Sequence, residues 1–360
     1  MLELFSTRDG SVRSLYSNSY GIGRPIWLPA GEAVLVSLND RAGRGQLWRI
    51  SYPKGETERL SNDLADYGAR IDATRDARTV AAIQSNFVSN VWIAPSADTS
   101  GGRQITAGEL PLVEVAPAPQ GKIVAASGEG ELLLMNVDGS HSSPVGEVHN
   151  ASNPAACGRF LLFSSSRPGN EGLMRANADG SNPTLLAHGM IWSPVCSADL
   201  QSVFYVDMAG PMKIWRTPIA GGVPTEVATV LGTVVESRLI FSPDGELLAY
   251  AFMNAAPEPV MKLAVMPRVG GPVRIMQVPG WTFERACLRW SPDGRSLQSL
   301  VTRNGATNIW EQPLAGGAPK QLTKFRSGRI FDFNWSTDGK TLLLARGDVT
   351  SDAILLSDFR

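Results

Sequence analysis

The chain has 360 residues, 43% of them hydrophobic, with 36 glycines, 24 prolines and only three histidines. Its 33 basic and 34 acidic residues leave a formal charge of −1, which gives no electrostatic case for nucleic acid or an anionic membrane surface as partner. No apolar run approaches the roughly 20 residues of a membrane span, so no membrane insertion by this chain is expected.

In chain order, residues 2–5 form a short apolar-alternating segment, followed by the turn Asp9-Gly10-Ser11 and a second segment over 12–17. From there one phrase recurs. It begins as Trp27-Leu28-Pro29-Ala30-Gly31 and Ala73-Thr74-Arg75-Asp76-Ala77, and continues in weaker copies starting at 117, 154 and 196. It is plainest in Phe241-Ser242-Pro243-Asp244-Gly245, Trp290-Ser291-Pro292-Asp293-Gly294 and Trp335-Ser336-Thr337-Asp338-Gly339, each followed by an apolar run. About twenty residues after the phrase comes a second signal, as in Gln46-Leu47-Trp48, Asn90-Val91-Trp92-Ile93, Lys213-Ile214-Trp215 and Asn308-Ile309-Trp310. A Gly-Gly or Asp-Gly turn and a polar-alternating segment such as Lys320-Gln321-Leu322-Thr323 end the unit.

Self-similarity at about 40–50 residues, with strand-like segments and Gly-rich turns, is the signature of a β-propeller in which each repeat is one four-stranded blade. The expected fold is therefore all-β, with antiparallel blades of strands a to d and the Asp-Gly phrase between a and b. Eight copies predict eight blades in a single domain over 1–360. Seven is the alternative, because the interval from 117 to 154 is the shortest and fits a degenerate insert. The aromatic that opens each phrase, and the tryptophans of strand c, are expected to pack between blades.

The termini predict how the ring closes. Residues 1–17 hold a c-like and a d-like segment without a or b, while residues 330–359 hold a, b and c without d. Pairing 12–17 with the blade of Trp335 would remove an exposed edge. The c-like segment left over suggests a chain cut from a longer one. Cys157, Cys196 and Cys287 all fall at or near strand a, where the expectation is three small buried hydrophobes rather than a disulfide.

The Trp-Ser-Pro-Asp-Gly turn, the Asn-Ile-Trp strand and the ending Gly-Gly-x-Pro-x-x-Leu-Thr resemble the WD40-like PD40 repeat of TolB-type propellers. The resemblance covers essentially the whole chain and is strongest over 190–345. Cys196-Ser197-Ala198-Asp199 and Asp332-Phe333-Asn334-Trp335 look like the variants in propellers attached to bacterial serine/threonine kinases. That resemblance implies an extracytoplasmic module, periplasmic or extracellular, of a larger receptor. A cytoplasmic protein is the other reading, since the N-terminus lacks a signal-peptide layout. No kinase motif lies in this chain, and TolB differs in having a separate α/β domain and fewer blades, so its Pal-type partner is not carried over.

Candidate chemistry is sparse. There is no Gly-x-Ser-x-Gly elbow, and the histidines His141, His149 and His188 have no metal-ligand spacing, so no catalytic residue, metal or cofactor is assigned. Strand a should line the central channel, with the residue three before each phrase near its mouth. This nominates Arg24, Arg70, Glu114, Arg238 and Asp332, a mildly positive ring suited to a small polar or anionic ligand. The competing reading is that these charges pair with one another. A long loop carrying Trp281, Phe283 and Arg285 is either an exposed patch for a partner protein or a cap on the core. The expected function is a non-catalytic binding or sensory propeller, with a channel-centred lyase or lactonase, or a purely structural scaffold, as alternatives.

Overall fold

The Ser-x-Asp-Gly phrase folds as one turn wherever it occurs, and its side chains explain its composition. In the computed structural model, Gly245 donates its N–H to the Ser242 carbonyl at 2.8 Å and Leu247 donates to Ser242 Oγ at 2.9 Å. Asp244 Oδ1 accepts from the Ser242 hydroxyl and from the Glu246 N–H. The same bonds recur around Asp293 and Asp338, and around Asp199. Serine hydroxyl and backbone donors hold each of these carboxyls below the ordinary aspartate range. Gly245, Gly294 and Gly339 all sit at φ near +70°, where a Cβ is strained.

The strand c motif has an equally local cause. Thr323 Oγ1 donates to Asn308 Oδ1 at 2.9 Å and accepts from the Ile309 N–H at 2.9 Å, tying strand c to strand d. Thr106 does the same with Asn90 and Val91. The spacing Asn-(Ile/Val)-Trp…(Leu/Ile)-Thr is thus a side-chain lock between the two outer strands.

The structure describes all residues except 18–20, 30, 40–44, 62–64, 77, 101, 109, 147, 233–237, 254–260, 278–286 and 358–360, and omits the side chains of 69 and 277. The chain is all-β, with one 3₁₀ turn, Pro119–Gly121, among the described residues. Eight inner strands each begin an antiparallel blade, matching the eight copies of the phrase. Two compact units contain them: Met1–Phe87 with Val349–Arg360 (unit 1), and Val88–Asp348 (unit 2).

Unit 2 holds six blades, whose inner strands are Leu112–Pro117, Ala151–Cys157, Ile191–Cys196, Ile240–Phe241, Leu288–Trp290 and Arg329–Trp335. Neighbouring blades share cores. Val124 and Leu134 pack with Leu161 and Phe163, and Phe204 and Ile214 with Leu248 and Tyr250. Trp290 packs among Ala249, Leu263 and Leu297, between two blades, as expected of the aromatic that opens the phrase. Ring closure falls between the last blade and the first: Val115 N–H donates to Asp332 Oδ2 at 3.1 Å, and Ser89 Oγ to the Leu112 carbonyl.

The last blade of unit 2 is composite, and here the expected strand assignment is corrected. Thr79–Pro95 and Thr341–Ser357 are 17-residue strands lying side by side in one sheet. In unit 2 the order is Arg329–Trp335, 341–348, 88–95 and Arg103–Gln104, so strands c and d of the Trp335 blade come from 88–95 and 103–104. Ser96 N–H donates to the Lys340 carbonyl at 2.8 Å at one end of the pair. In unit 1 the second blade takes 349–357 as its strand c, beside 79–87, with Ser85 Oγ 2.9 Å from Ser351 Oγ. The two repeats have exchanged third strands. Pairing of 12–17 with the Trp335 blade does not form: Val12–Tyr16 pairs with Leu2–Phe5 in a two-stranded sheet. The physical reason is that one c-like segment fits either blade's apolar seam, so local sequence cannot select its partner.

The cysteine expectation is also corrected. Cys157 and Cys196 are joined by a disulfide, with Cα atoms 5.2 Å apart, linking the inner strands of adjacent blades. Each lies at the end of its strand a, and side-by-side packing of inner strands brings them together. Cys287 is the buried free thiol that was expected.

Candidate functional site

The inner strands of unit 2 break register where they approach the axis. Bulges fall between Leu112 and Glu114, Ser152 and Ala155, Trp192 and Val195, and Ile330 and Asp332. A bulge re-aims a side chain, and here the re-aimed groups stitch one blade to another. Glu114 Oε2 accepts the Asn153 N–H and Ser193 Oγ accepts the Leu239 N–H at 2.6 Å. Asp332 accepts from Val115 in the same manner.

Asp332 is the centre of the cluster. Its side chain is only 5% exposed, yet it carries charge. Oδ2 accepts from Arg238 Nη2 at 2.9 Å; Oδ1 accepts from Arg289 Nη2 at 2.8 Å, from the Cys287 thiol at 2.9 Å and from the Phe333 N–H at 2.9 Å. Burial works against the carboxylate, but Arg238 and Arg289 outweigh it and hold the Asp332 carboxyl below its ordinary value. Burial likewise opposes the charge on Arg238, and Asp332 and Glu114 overcome it, raising that guanidinium further. Arg238 Nη2 lies 3.5 Å from Glu114 Oε1, and Nη1 donates to the Pro154 carbonyl at 3.4 Å. Cys287, buried beside this cluster, is pushed up to about 12, chiefly by burial, and stays a thiol.

Of the residues nominated from sequence, Glu114, Arg238 and Asp332 come together here. Arg24 and Arg70 are exposed residues of unit 1. Trp281, Phe283 and Arg285 lie outside the described residues. Arg289 was missed. Its signal was present, because Arg289 lies on the inner strand Leu288–Trp290, directly before the Ser-Pro-Asp-Gly turn.

Around the axis of unit 2 opens a funnel of about 980 Å³, lined by all six blades. Its wall is largely small and apolar, with Pro117, Pro154, Pro194, Pro243 and Pro292 from five of the blades and Trp335 from the sixth. Among the described residues, the charged ones on the wall are Arg238, Arg289 and Asp338. Glu114 and Asp332, which neutralise the two arginines, are not part of the wall. Two arginines of the funnel wall are thus tied to carboxylates that lie off it, and Arg289 Nη1 also donates to the Leu288 carbonyl at 2.7 Å. Arg289 Nε is buried without a hydrogen-bond partner among the described residues. No three His, Cys, Asp or Glu side chains among the described residues are grouped to hold a metal ion.

Six four-stranded blades closing around such a funnel define a TolB-type β-propeller fold. Two solved structures carry the likeness. A candidate TolB from Agrobacterium tumefaciens is 18% identical, with a TM-score of 0.58 over 75% of this chain and 100% of that one. TolB from Acinetobacter baumannii is 13% identical, with a TM-score of 0.51 over 91% of this chain and 80% of that one. At these identities the likeness is one of fold. No family model matches the chain, and no curated protein matches it.

Proposed function

We propose that this chain is a non-catalytic binding module and that the funnel of unit 2 takes a small polar or anionic ligand, or an acidic side chain of a partner protein. The observation that carries this is the split of the charge cluster: Arg238 and Arg289 belong to the funnel wall, whereas their partners Glu114 and Asp332 do not. Guanidiniums fixed in this way are preorganised for an acceptor, and the apolar wall strengthens the contact by keeping water away. An exported location is part of the proposal. The Cys157–Cys196 disulfide supports an oxidising compartment, and among the described residues no helix is long and apolar enough to cross a membrane. A place in a larger receptor, such as a serine/threonine kinase, rests on the repeat resemblance alone.

The test is a thermal-shift screen of small carboxylates, phosphates and sugar acids, followed by calorimetry on hits. Ala156→Trp, which fills the funnel wall without touching a charge, should abolish binding while the protein melts as wild type. Arg289→Lys should weaken binding by roughly 1.5–3 kcal/mol, the range for a charge-assisted hydrogen bond. A ligand indifferent to both changes places the site elsewhere and overturns the proposal.

A further inference from the structure

Within unit 2 the tryptophan of strand c is stacked with a cation in three blades. Arg346 Cζ lies 4.7 Å from the Trp92 ring, Lys213 Nζ 5.9 Å from that of Trp215 and Arg303 Cζ 4.3 Å from that of Trp310. In the strand Gly172–Asn177 the same place holds Met174, which stands six residues before Gly180, as Trp215 stands before Gly221 and Trp310 before Gly316. The pairing agrees, since the register to strand d breaks just before Met174 and just before Trp215 alike. Where the indole is missing, a cleft of about 460 Å³ opens between this blade and the one before it, with Val148, Phe163, Met174 and Leu185 in its wall. In the blade of Met261–Pro267, Ala264 holds the place, and there Tyr250 and Phe252 of the facing strand pack with it.

The cation of the stack is still present. Arg167, on the cleft wall, stands four residues beyond Phe163, the cross-strand partner of Met174, as Arg303 stands four beyond Ser299, the partner of Trp310. The other charged groups of the cleft are occupied, His149 by Glu131 at 2.7 Å and Asp179 by the Ser181 N–H and hydroxyl. Arg167 makes no ion pair among the described residues. We propose that the cleft binds a small molecule with a planar aromatic ring of indole size, seated against Met174 and Phe163 with Arg167 on its face. Thioether and ring contacts favour an aromatic over an aliphatic guest, the guanidinium adds cation–π attraction, and the volume is that of a small-molecule site. The site shares no lining residue with the funnel and does not depend on the function proposed for it.

The probe is indole, titrated by ligand-observed saturation-transfer NMR and calorimetry. The wild type should bind it saturably. Met174→Trp supplies from the chain the ring that three sister blades carry, so it should abolish binding while the protein melts no lower than wild type. Met174→Phe fills the same seat with less bulk and should weaken binding several-fold, which keeps the test decisive should the larger ring unfold the blade. Arg167→Ala should weaken binding roughly two- to fivefold, the range of an exposed cation–π contact. Ala156→Trp, in the funnel wall, should leave it unchanged. A wild type that takes up no indole to the limit of its solubility overturns the proposal. So does binding that a folded Met174 variant leaves intact, or that Ala156→Trp removes.

Discussion

Replacing Asp332 with asparagine removes one negative charge from a site that holds two guanidiniums. The side chain keeps its shape, so the effect is electrostatic rather than steric. Arg238 retains Glu114 at 3.5 Å, but the bond from Arg289 to Asp332 at 2.8 Å is its one ion pair among the described residues. Two charge-assisted hydrogen bonds, at about 1.5–3 kcal/mol each, give a loss of roughly 3–6 kcal/mol. Breaking a buried ion pair from one side independently gives about 3–5 kcal/mol, because the remaining charge is left uncompensated. The two routes agree. Chemical denaturation at pH 7 should therefore show Asp332→Asn to be destabilised by about 3–5 kcal/mol. The pH dependence has a definite sign. The folded carboxyl titrates below its unfolded value near 3.8, so its stabilisation is complete above that value and is lost as pH falls through the lower folded one. The gap between wild type and variant should thus be widest near neutrality and narrow below about pH 4. The exposed turn aspartates titrate in the same window, but they are common to both proteins and cancel in the difference. A variant within about 1 kcal/mol of wild type, or a gap independent of pH, would refute a charged, fold-supporting Asp332.

Three further outcomes test the architecture. Trp290→Ala should cost about 3–5 kcal/mol, since the indole is 6% exposed between two blades; a variant that melts as wild type contradicts its place in the repeat. Thiol titration of protein produced under oxidising conditions should count one free thiol in denaturant without reductant and three with it. Reduction of the 39-residue bridge should lower stability by roughly 3–4 kcal/mol in the chain-entropy account, and three thiols without reductant would remove the disulfide. Gly347→Ala should destabilise by about 1–3 kcal/mol or more, because the added Cβ would clash with the Val88 carbonyl oxygen where the two long strands run side by side. An unaffected Gly347→Ala protein would mean that 88–95 is not the strand beside 341–348.

The number of blades, the turn between strands a and b and the lock between c and d are properties of short segments, and the chain states them locally. Ser, Asp and Gly within four residues define a turn through their own hydrogen bonds, and Asn and Thr some fifteen residues apart define an outer hairpin. Counting three residues back from each phrase nominates Glu114, Arg238 and Asp332 together before any contact is known, and with them Arg24 and Arg70, which lie in unit 1. Which third strand joins which first strand is another matter. Residues 88–95 and 349–357 carry interchangeable apolar patterns, so only packing of Trp92 and Ala94 against Phe333, Leu342 and Leu344 assigns the first of them to the Trp335 blade. The disulfide depends on the same kind of fact, since 39 residues separate two cysteines that adjacent blades bring within 5.2 Å of each other at Cα. The division of the charge cluster is tertiary as well. Sequence counts arginines and acids on an axis, but only the folded strands, bulged beside Glu114 and Asp332, decide that the two arginines join the funnel wall while their carboxylate partners stay off it.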